Sequence, residues 1–156
     1  MAKASTLFEV MSKDKVDPDE MMFHMNNDLF QTKTAGMFVT CILGEYDLVS
    51  DEIRWVNAGH QPALIRSTDG KYSEFISSST PLGVIKHKDK SVYKLEKAKL
   101  ASSRFYVFTD GLSESLDSKG EEIGIDGSIK IIEDNFNSDL KKQLKDVCLL
   151  YTSDAA

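Results

Sequence analysis

Phe105-Tyr-Val-Phe-Thr-Asp-Gly-Leu-Ser-Glu-Ser115 begins as a bulky apolar strand pattern and breaks off at an Asp-Gly pair. A strand that stops this way can hold a carboxylate rigidly at a sheet's rim, where a hard cation would accept it as an oxygen ligand. The same letters also suit a hairpin, because Asp-Gly between apolar runs supplies the positive backbone angles of a type I′ turn. Asp69-Gly70, in the polar stretch Arg66-Ser-Thr-Asp-Gly-Lys71, reads as a solvated hairpin tip. Asp126-Gly127 precedes Ser128 and Ile129-Lys-Ile-Ile-Glu-Asp134, which predicts a helix start with Asp126 or Ser128 as its cap. Only Asp110 follows a run of large apolar residues, so it is the candidate for chemistry.

Patterns on either side of that strand set the fold class. Upstream, Ala2 to Met11 has helical periodicity through Leu7, Phe8 and Met11. Asp17-Pro-Asp-Glu20 is a strong helix start, with Asp17 as cap, Pro18 in the first helical position and Glu20 closing a capping box. That helix presents Met21, Met22, Met25, Leu29 and Phe30 on one side and ends near Gln31; the methionine stripe reads as core. From Met37 the period becomes that of strands: Met37 to Asp47, a turn at Ser50-Asp51, then Ile53 to Asn57 pairing back. Short strands follow at Pro62 to Arg66, Tyr72 to Ile76, Ser91 to Leu95 and Arg104 to Thr109. Helices from Ser128 to Asp134 and from Ser138 to about Leu149 close the chain. Helices flanking a meander imply an α+β layered domain with antiparallel sheets.

Composition narrows the function classes. The 156 residues suit one domain, and 41% hydrophobic with 28% charged is ordinary for a globular protein. A net charge of -6 with 19 scattered basic residues disfavours nucleic acid and anionic membrane as partners. No apolar run reaches the roughly 20 residues of a membrane span, and Met1 to Phe8 is too polar for a signal peptide, so a cytoplasmic domain is expected, in a parent protein that is either cytosolic or tethered to a membrane. Cys41 and Cys148 lack metal-ligand spacing and read as reduced thiols.

A second constellation, Trp55-Val-Asn-Ala-Gly-His-Gln-Pro-Ala-Leu-Ile65, lies between two predicted strands. Ala58 and Gly59 permit close backbone approach, while Asn57 and His60 offer polar groups at the turn. His60 can be a structural histidine that holds the turn, or a residue beside a bound phosphate or metal.

Met37-Phe-Val-Thr40, Asn57-Ala-Gly-His60, Pro81-Leu-Gly83 and Phe108-Thr-Asp-Gly-Leu112 followed by Glu114, in this order and spacing, resemble the bacterial SpoIIE/RsbU branch of PPM-type metal-dependent protein serine/threonine phosphatases. The resemblance extends to Ala2-Lys-Ala-Ser-Thr-Leu-Phe8 and Asn26-Asn-Asp-Leu29, and covers about Met1 to Ile132. It implies an α-β-β-α sandwich of antiparallel sheets with flanking helices. It also implies two Mn²⁺ or Mg²⁺ ions whose bridging water attacks phosphoserine or phosphothreonine, with no protein nucleophile. Carried onto this chain, Asp110 matches the metal-binding aspartate, Gly111 the residue that lets the backbone turn beside it, and Glu114 an acidic position that either supports the site or is a solvated carboxylate. Asn57 and His60 are candidates to support the ligands from behind.

The departures matter equally. The family's upstream Gly-Asp-x-x-Gly-x-Gly segment has no counterpart before Met1, and its C-terminal Asp-Asp pair is replaced by Cys148-Leu-Leu-Tyr-Thr-Ser-Asp-Ala-Ala156. The expectation is a partial phosphatase domain over residues 1–147 with a non-native tail over 148–156, in which Asp154 is no ligand. Leu100-Ala-Ser-Ser-Arg104 replaces the family's usual Gly-Asp and is expected to change only a turn. With one carboxylate for a centre that needs about six oxygen ligands, the chain by itself is expected to be inactive or nearly so. By analogy the partners are a phosphorylated regulatory protein of the anti-sigma-factor antagonist type and an upstream sensor domain, and the open sheet edge allows a homodimer. The rival reading is a non-catalytic phosphatase-like interaction module whose open edge accepts a strand from another chain.

Overall fold

The computed structural model describes residues 2–32, 37–117, 119–137 and 139–153. They form two compact units, one up to Val107 and one from Phe108 onward.

In the first unit, helices α1 (Ala2–Ser12) and α2 (Pro18–Thr32) precede six strands: β1 (Cys41–Asp47), β2 (Glu52–Ala58), β3 (Ala63–Arg66), β4 (Tyr72–Phe75), β5 (Glu96–Lys99) and β6 (Arg104–Tyr106). They make two antiparallel three-stranded sheets, ordered β1-β2-β5 and β4-β3-β6. Side chains on β2 alternate between two cores, as a strand's period of two requires. Trp55, fully buried, meets Phe75 of β4 at 5.0 Å and Phe105 of β6 at 5.1 Å, which joins the two sheets face to face. Val56 and Ala58 point the other way and share a core with Leu43, Leu82, Tyr93 and the α2 residues Met21, Met22 and Met25. The methionine stripe is therefore core, and burying each such side chain contributes roughly 1.5–3 kcal/mol.

Pro18 opens α2 as expected, but the capping box does not form. Asp17's carboxylate lies 3.0 Å from Arg54, and Glu20's lies 3.5 Å from Lys90. Long-range ion pairs have taken both groups that local capping would have used. The predicted strand Ser91 to Leu95 is also corrected. Asp89 accepts the Ser91 N–H at 2.9 Å and caps a 3-10 turn over Lys90–Val92, so Tyr93 reaches the core without ladder pairing. The strand beside β2 is β5, in register Glu52 to Lys99 and Trp55 to Glu96. Asp69-Gly70 is a hairpin tip, with Gly70 at φ 85 and Ser67 N–H bonded to Lys71 O at 2.9 Å.

The second unit consists of α3 (Asp110–Ser113), α4 (Gly124–Asp134) and α5 (Leu140–Ser153). Helix α4 starts before both proposed caps. Ser128 is buried inside it and donates to Gly124 O at 2.7 Å, a backbone bond one turn back that replaces capping. The expected start of the last helix at Ser138 and the residue Asp154 lie outside the described residues, and the boundary expected at 147/148 falls within α5. Cys41 and Cys148 are free thiols, and burial pushes Cys41 above its ordinary pKa.

Candidate functional site

The first unit gathers three of the motifs into one cluster. Val39 and Leu82 exchange backbone hydrogen bonds at 3.1 and 2.8 Å, which ties Met37-Phe-Val-Thr40 to Pro81-Leu-Gly83. Thr40 Oγ1 lies 3.2 Å from His60 Nδ1, which ties the first motif to Asn57-Ala-Gly-His60. Asn26 of α2 is fully buried and clamps the third: its Oδ1 accepts the Gly83 N–H at 2.9 Å, and its Nδ2 donates to Ile85 O at 2.9 Å.

Asn57 and His60 are brought together. Asn57 sits at the end of β2, 4% exposed, and its side chain spans the turn. Its Oδ1 accepts the His60 N–H at 2.9 Å, and its Nδ2 donates to His60 O at 3.3 Å and Gln61 O at 3.0 Å. All three recorded bonds of its side chain go into fixing the loop. Gly59 adopts φ 68, and a Cβ there would lie 2.4 Å from the Pro81 ring, so only glycine fits. Ser77 Oγ accepts the Gly59 N–H at 2.6 Å. Ser77 is a member of this cluster that no sequence motif marked, and Thr40 entered only as the last residue of Met37-Phe-Val-Thr40. Their only local signals are a hydroxyl beside Val39 and the run Ser77-Ser-Ser-Thr80 before Pro81.

Asp110, Gly111 and Glu114 lie together in the second unit. Asp110 is the first residue of α3, Thr109 is its cap, and Glu114 N–H closes the helix onto Asp110 O at 2.7 Å. A helix here excludes the type I′ hairpin. Gly111 is the second residue of that helix and is not among the positive-φ glycines, so the backbone turns beside Asp110 as a helical turn. Ser113 Oγ donates to Asp110 O at 3.2 Å and Ser115 Oγ to Gly111 O at 2.8 Å, holding the backbone of the turn. The carboxylates of Asp110 and Glu114 are exposed and have no hydrogen-bond or ion-pair partner among the described residues. One helical turn apart, they share a face.

Oxygen donors of this kind suit Mn²⁺ or Mg²⁺, but a two-metal centre needs more of them. Among the described residues no three His, Cys, Asp or Glu side chains are grouped to hold a metal ion, so these residues do not fit such a centre by themselves. Nor is any described helix long and apolar enough to cross a membrane.

The fold recurs in solved phosphatase domains. The SiaA-PP2C domain of Pseudomonas aeruginosa superposes with a TM-score of 0.77 at 16% identity, over 97% of this chain and 59% of that one. The structure of the RsbU and RsbW domains of Rv1364c from Mycobacterium tuberculosis gives 0.68 at 19% identity, over 97% and 40%. The architecture is thus that of a PP2C-type phosphatase domain, an α+β sandwich of antiparallel sheets with helices. In sequence, the phosphoserine phosphatase RsbU of Bacillus subtilis is 23% identical over 135 residues, covering 85% of this chain and 39% of RsbU. The family model for stage II sporulation protein E (SpoIIE) matches residues 1–152, and the chain belongs to that family. It spans 19% and 39% of the length of two curated relatives that it matches.

Proposed function

We propose that this chain is part of a metal-dependent protein serine/threonine phosphatase that hydrolyses phosphoserine or phosphothreonine on a regulatory protein of the anti-sigma-factor antagonist type. In this reading Asp110 supplies one carboxylate to a pair of Mn²⁺ or Mg²⁺ ions, and the remaining anionic ligands come from residues outside these 156. Metals of this class supply Lewis acidity and an acidified water when bound. The observation that carries the reading is the state of Asp110: its backbone is held by the first turn of α3, while its carboxylate is exposed and has no partner among the described residues. A carboxylate that merely stabilised a turn would spend its oxygens on nearby N–H groups, as Asp47, Asp89 and Asp117 do.

The substrate class rests on the relatives: RsbU is named a phosphoserine phosphatase, and in Rv1364c an RsbU domain accompanies an RsbW domain. Phosphate removal deletes nearly two charges from such a partner, enough to change what it docks against. The decisive experiment measures phosphate release from a phosphoserine peptide with Mn²⁺ by the full-length protein and its Asp110→Asn variant. A loss of about 100-fold or more in kcat is expected, because the charge of a metal ligand is removed while its shape stays. Undiminished turnover by the variant would overturn the assignment of Asp110. The scarcity of ligands also favours a second reading, a non-catalytic binding module. Metal-dependent turnover by the full-length protein excludes that alternative, and its absence supports it.

A further inference from the structure

We propose that Met37, Phe38, Val84 and Ile85, with Lys86 and Lys88 at their rim, form a docking surface for a partner protein that presents an acidic segment carrying large apolar side chains. The inference stands on the first unit alone and goes beyond the phosphatase reading, on which it does not depend.

The four apolar residues come from two segments that the fold lays side by side. Val39 and Leu82 form an antiparallel bridge, and a Cβ on Gly83 would lie 3.6 Å from Met37 O, so Met37 and Phe38 border Gly83 and Val84. Val39 and Leu82 join the core, whereas Met37, Phe38, Val84 and Ile85 are between 42% and 61% exposed. A lone exposed apolar residue is ordinary, but several large ones gathered in one place mark an interaction site. The backbone beneath them is firmly held. Asn26 binds the Gly83 N–H and Ile85 O, each at 2.9 Å, and Asn27 accepts the His87 N–H at 3.1 Å and donates to His87 O at 3.2 Å. Two consecutive asparagines of α2 therefore fix a segment that keeps its apolar side chains in solvent, which lowers the ordering cost of binding there.

Charge selects the occupant. The chain carries -6 overall, yet the stretch after Ile85 reads Lys86-His-Lys-Asp-Lys90. Lys86 and Lys88 are exposed and have no ion-pair partner among the described residues. The acids nearby are engaged locally: Asp89 accepts the Ser91 N–H at 2.9 Å, while Asp19 and Glu20 lie 3.0 and 3.5 Å from Lys90. Two unpaired ammonium groups at the rim of an apolar surface attract an acidic partner and repel a basic one.

The test is fluorescence anisotropy of a labelled amphipathic peptide, leucines on one face and glutamates on the other, titrated with this chain and with the full-length protein. Both should bind with Kd below about 1 mM at low salt, and salt should weaken the binding. The same peptide with lysines for its glutamates, or with serines for its leucines, should bind at least about 10-fold more weakly. Lys86→Glu/Lys88→Glu and Val84→Ser/Ile85→Ser should each weaken binding about 10-fold or more. Leu48→Ser/Val49→Ser, which removes the most exposed apolar pair among the described residues, should leave it unchanged. Equal binding by wild type and both surface variants overturns the proposal, as does the absence of saturable binding. Should Val84→Ser/Ile85→Ser not fold, the lysine variant decides, because both its positions are exposed. Three further outcomes also overturn it. A dimer in sedimentation that Val84→Ser/Ile85→Ser dissolves would assign the surface to a second copy of this chain. Binding to phosphatidylglycerol vesicles that Lys86→Glu/Lys88→Glu abolishes, with none to the acidic peptide, would assign it to a membrane. Binding by this chain and not by the full-length protein would mean that another part of the same polypeptide covers it.

Discussion

Gly59 carries a left-handed backbone at φ 68 and faces the Pro81 ring, where an added Cβ would lie 2.4 Å from Cγ and 2.6 Å from Cδ. Gly59→Ala therefore combines backbone strain with a clash against a ring that cannot rotate away. Each effect costs roughly 1–3 kcal/mol, so a loss of about 3 kcal/mol in urea unfolding is expected; a change under about 1 kcal/mol would refute the geometry. Tyr93 presents a different case. Its hydroxyl is buried without a hydrogen-bond partner among the described residues, and burial raises its pKa from 10.0 to about 12. The folded state thus holds its proton after the unfolded chain has lost it. The contribution is whole below pH 10 and is lost as pH rises through about 12, a decline of order 2 to 3 kcal/mol. Tyr93→Phe removes both the proton and the orphan hydroxyl, so its urea midpoint should fall less steeply than wild type across that window. Parallel declines would show that Tyr93 is not the group responsible. Neither effect can be read from the sequence. A glycine's backbone angle and a phenol's burial depend on what distant segments bring beside them.

Helix α2 was legible because its signals are local: Pro18 at its first position and methionines at helical spacing that the core later accepts. Strand β5 was not. Glu96-Lys-Ala-Lys99 lacks the β-branched and aromatic residues that mark strands, and only the open side of β2 makes it one. The same contrast governs what α2 contributes. Asn26, within the helix, serves no helical purpose; its side chain joins α2 to Gly83 and Ile85 far along the chain. Asn26→Leu keeps the size and removes the amide. Gly83 is buried and its N–H would then be unmet, whereas Ile85 is an exposed residue, 49% accessible. The expected cost is about 2–3 kcal/mol, mostly from Gly83, with faster hydrogen exchange at Gly83. A cost near zero would mean that water reaches the Gly83 N–H and that α2 is held by its methionines alone.

The motif signature reached further than the periodicity did. Met37-Phe-Val-Thr40, Asn57-Ala-Gly-His60 and Pro81-Leu-Gly83 lie far apart in sequence, yet the first unit joins them through Val39, Leu82, Thr40 and His60. Letters at fixed spacing encode such convergence only through family resemblance, because no local rule links a hydroxyl at Thr40 to a ring at His60. Asp110 and Glu114 belong to the other unit, where a short helix replaces the turn that Asp-Gly suggested. The metal chemistry open to the described residues follows from counting their donors. A divalent ion needs about six oxygens with several of them anionic, and among the described residues Asp110 and Glu114 offer two carboxylates with no third grouped beside them. Water must fill the other positions, so the chain's affinity for Mn²⁺ should be no better than about millimolar. Electron paramagnetic resonance of this chain at about 100 µM Mn²⁺ should retain the signal of the hydrated ion, with Asp110→Asn indistinguishable from wild type, and the chain should release no phosphate from a phosphoserine peptide. Mn²⁺ binding tighter than about 10 µM that Asp110→Asn abolishes would mean that these residues assemble a metal centre by themselves. The dependence on ligands from outside the chain would then be wrong, while Asp110 as a ligand would be right.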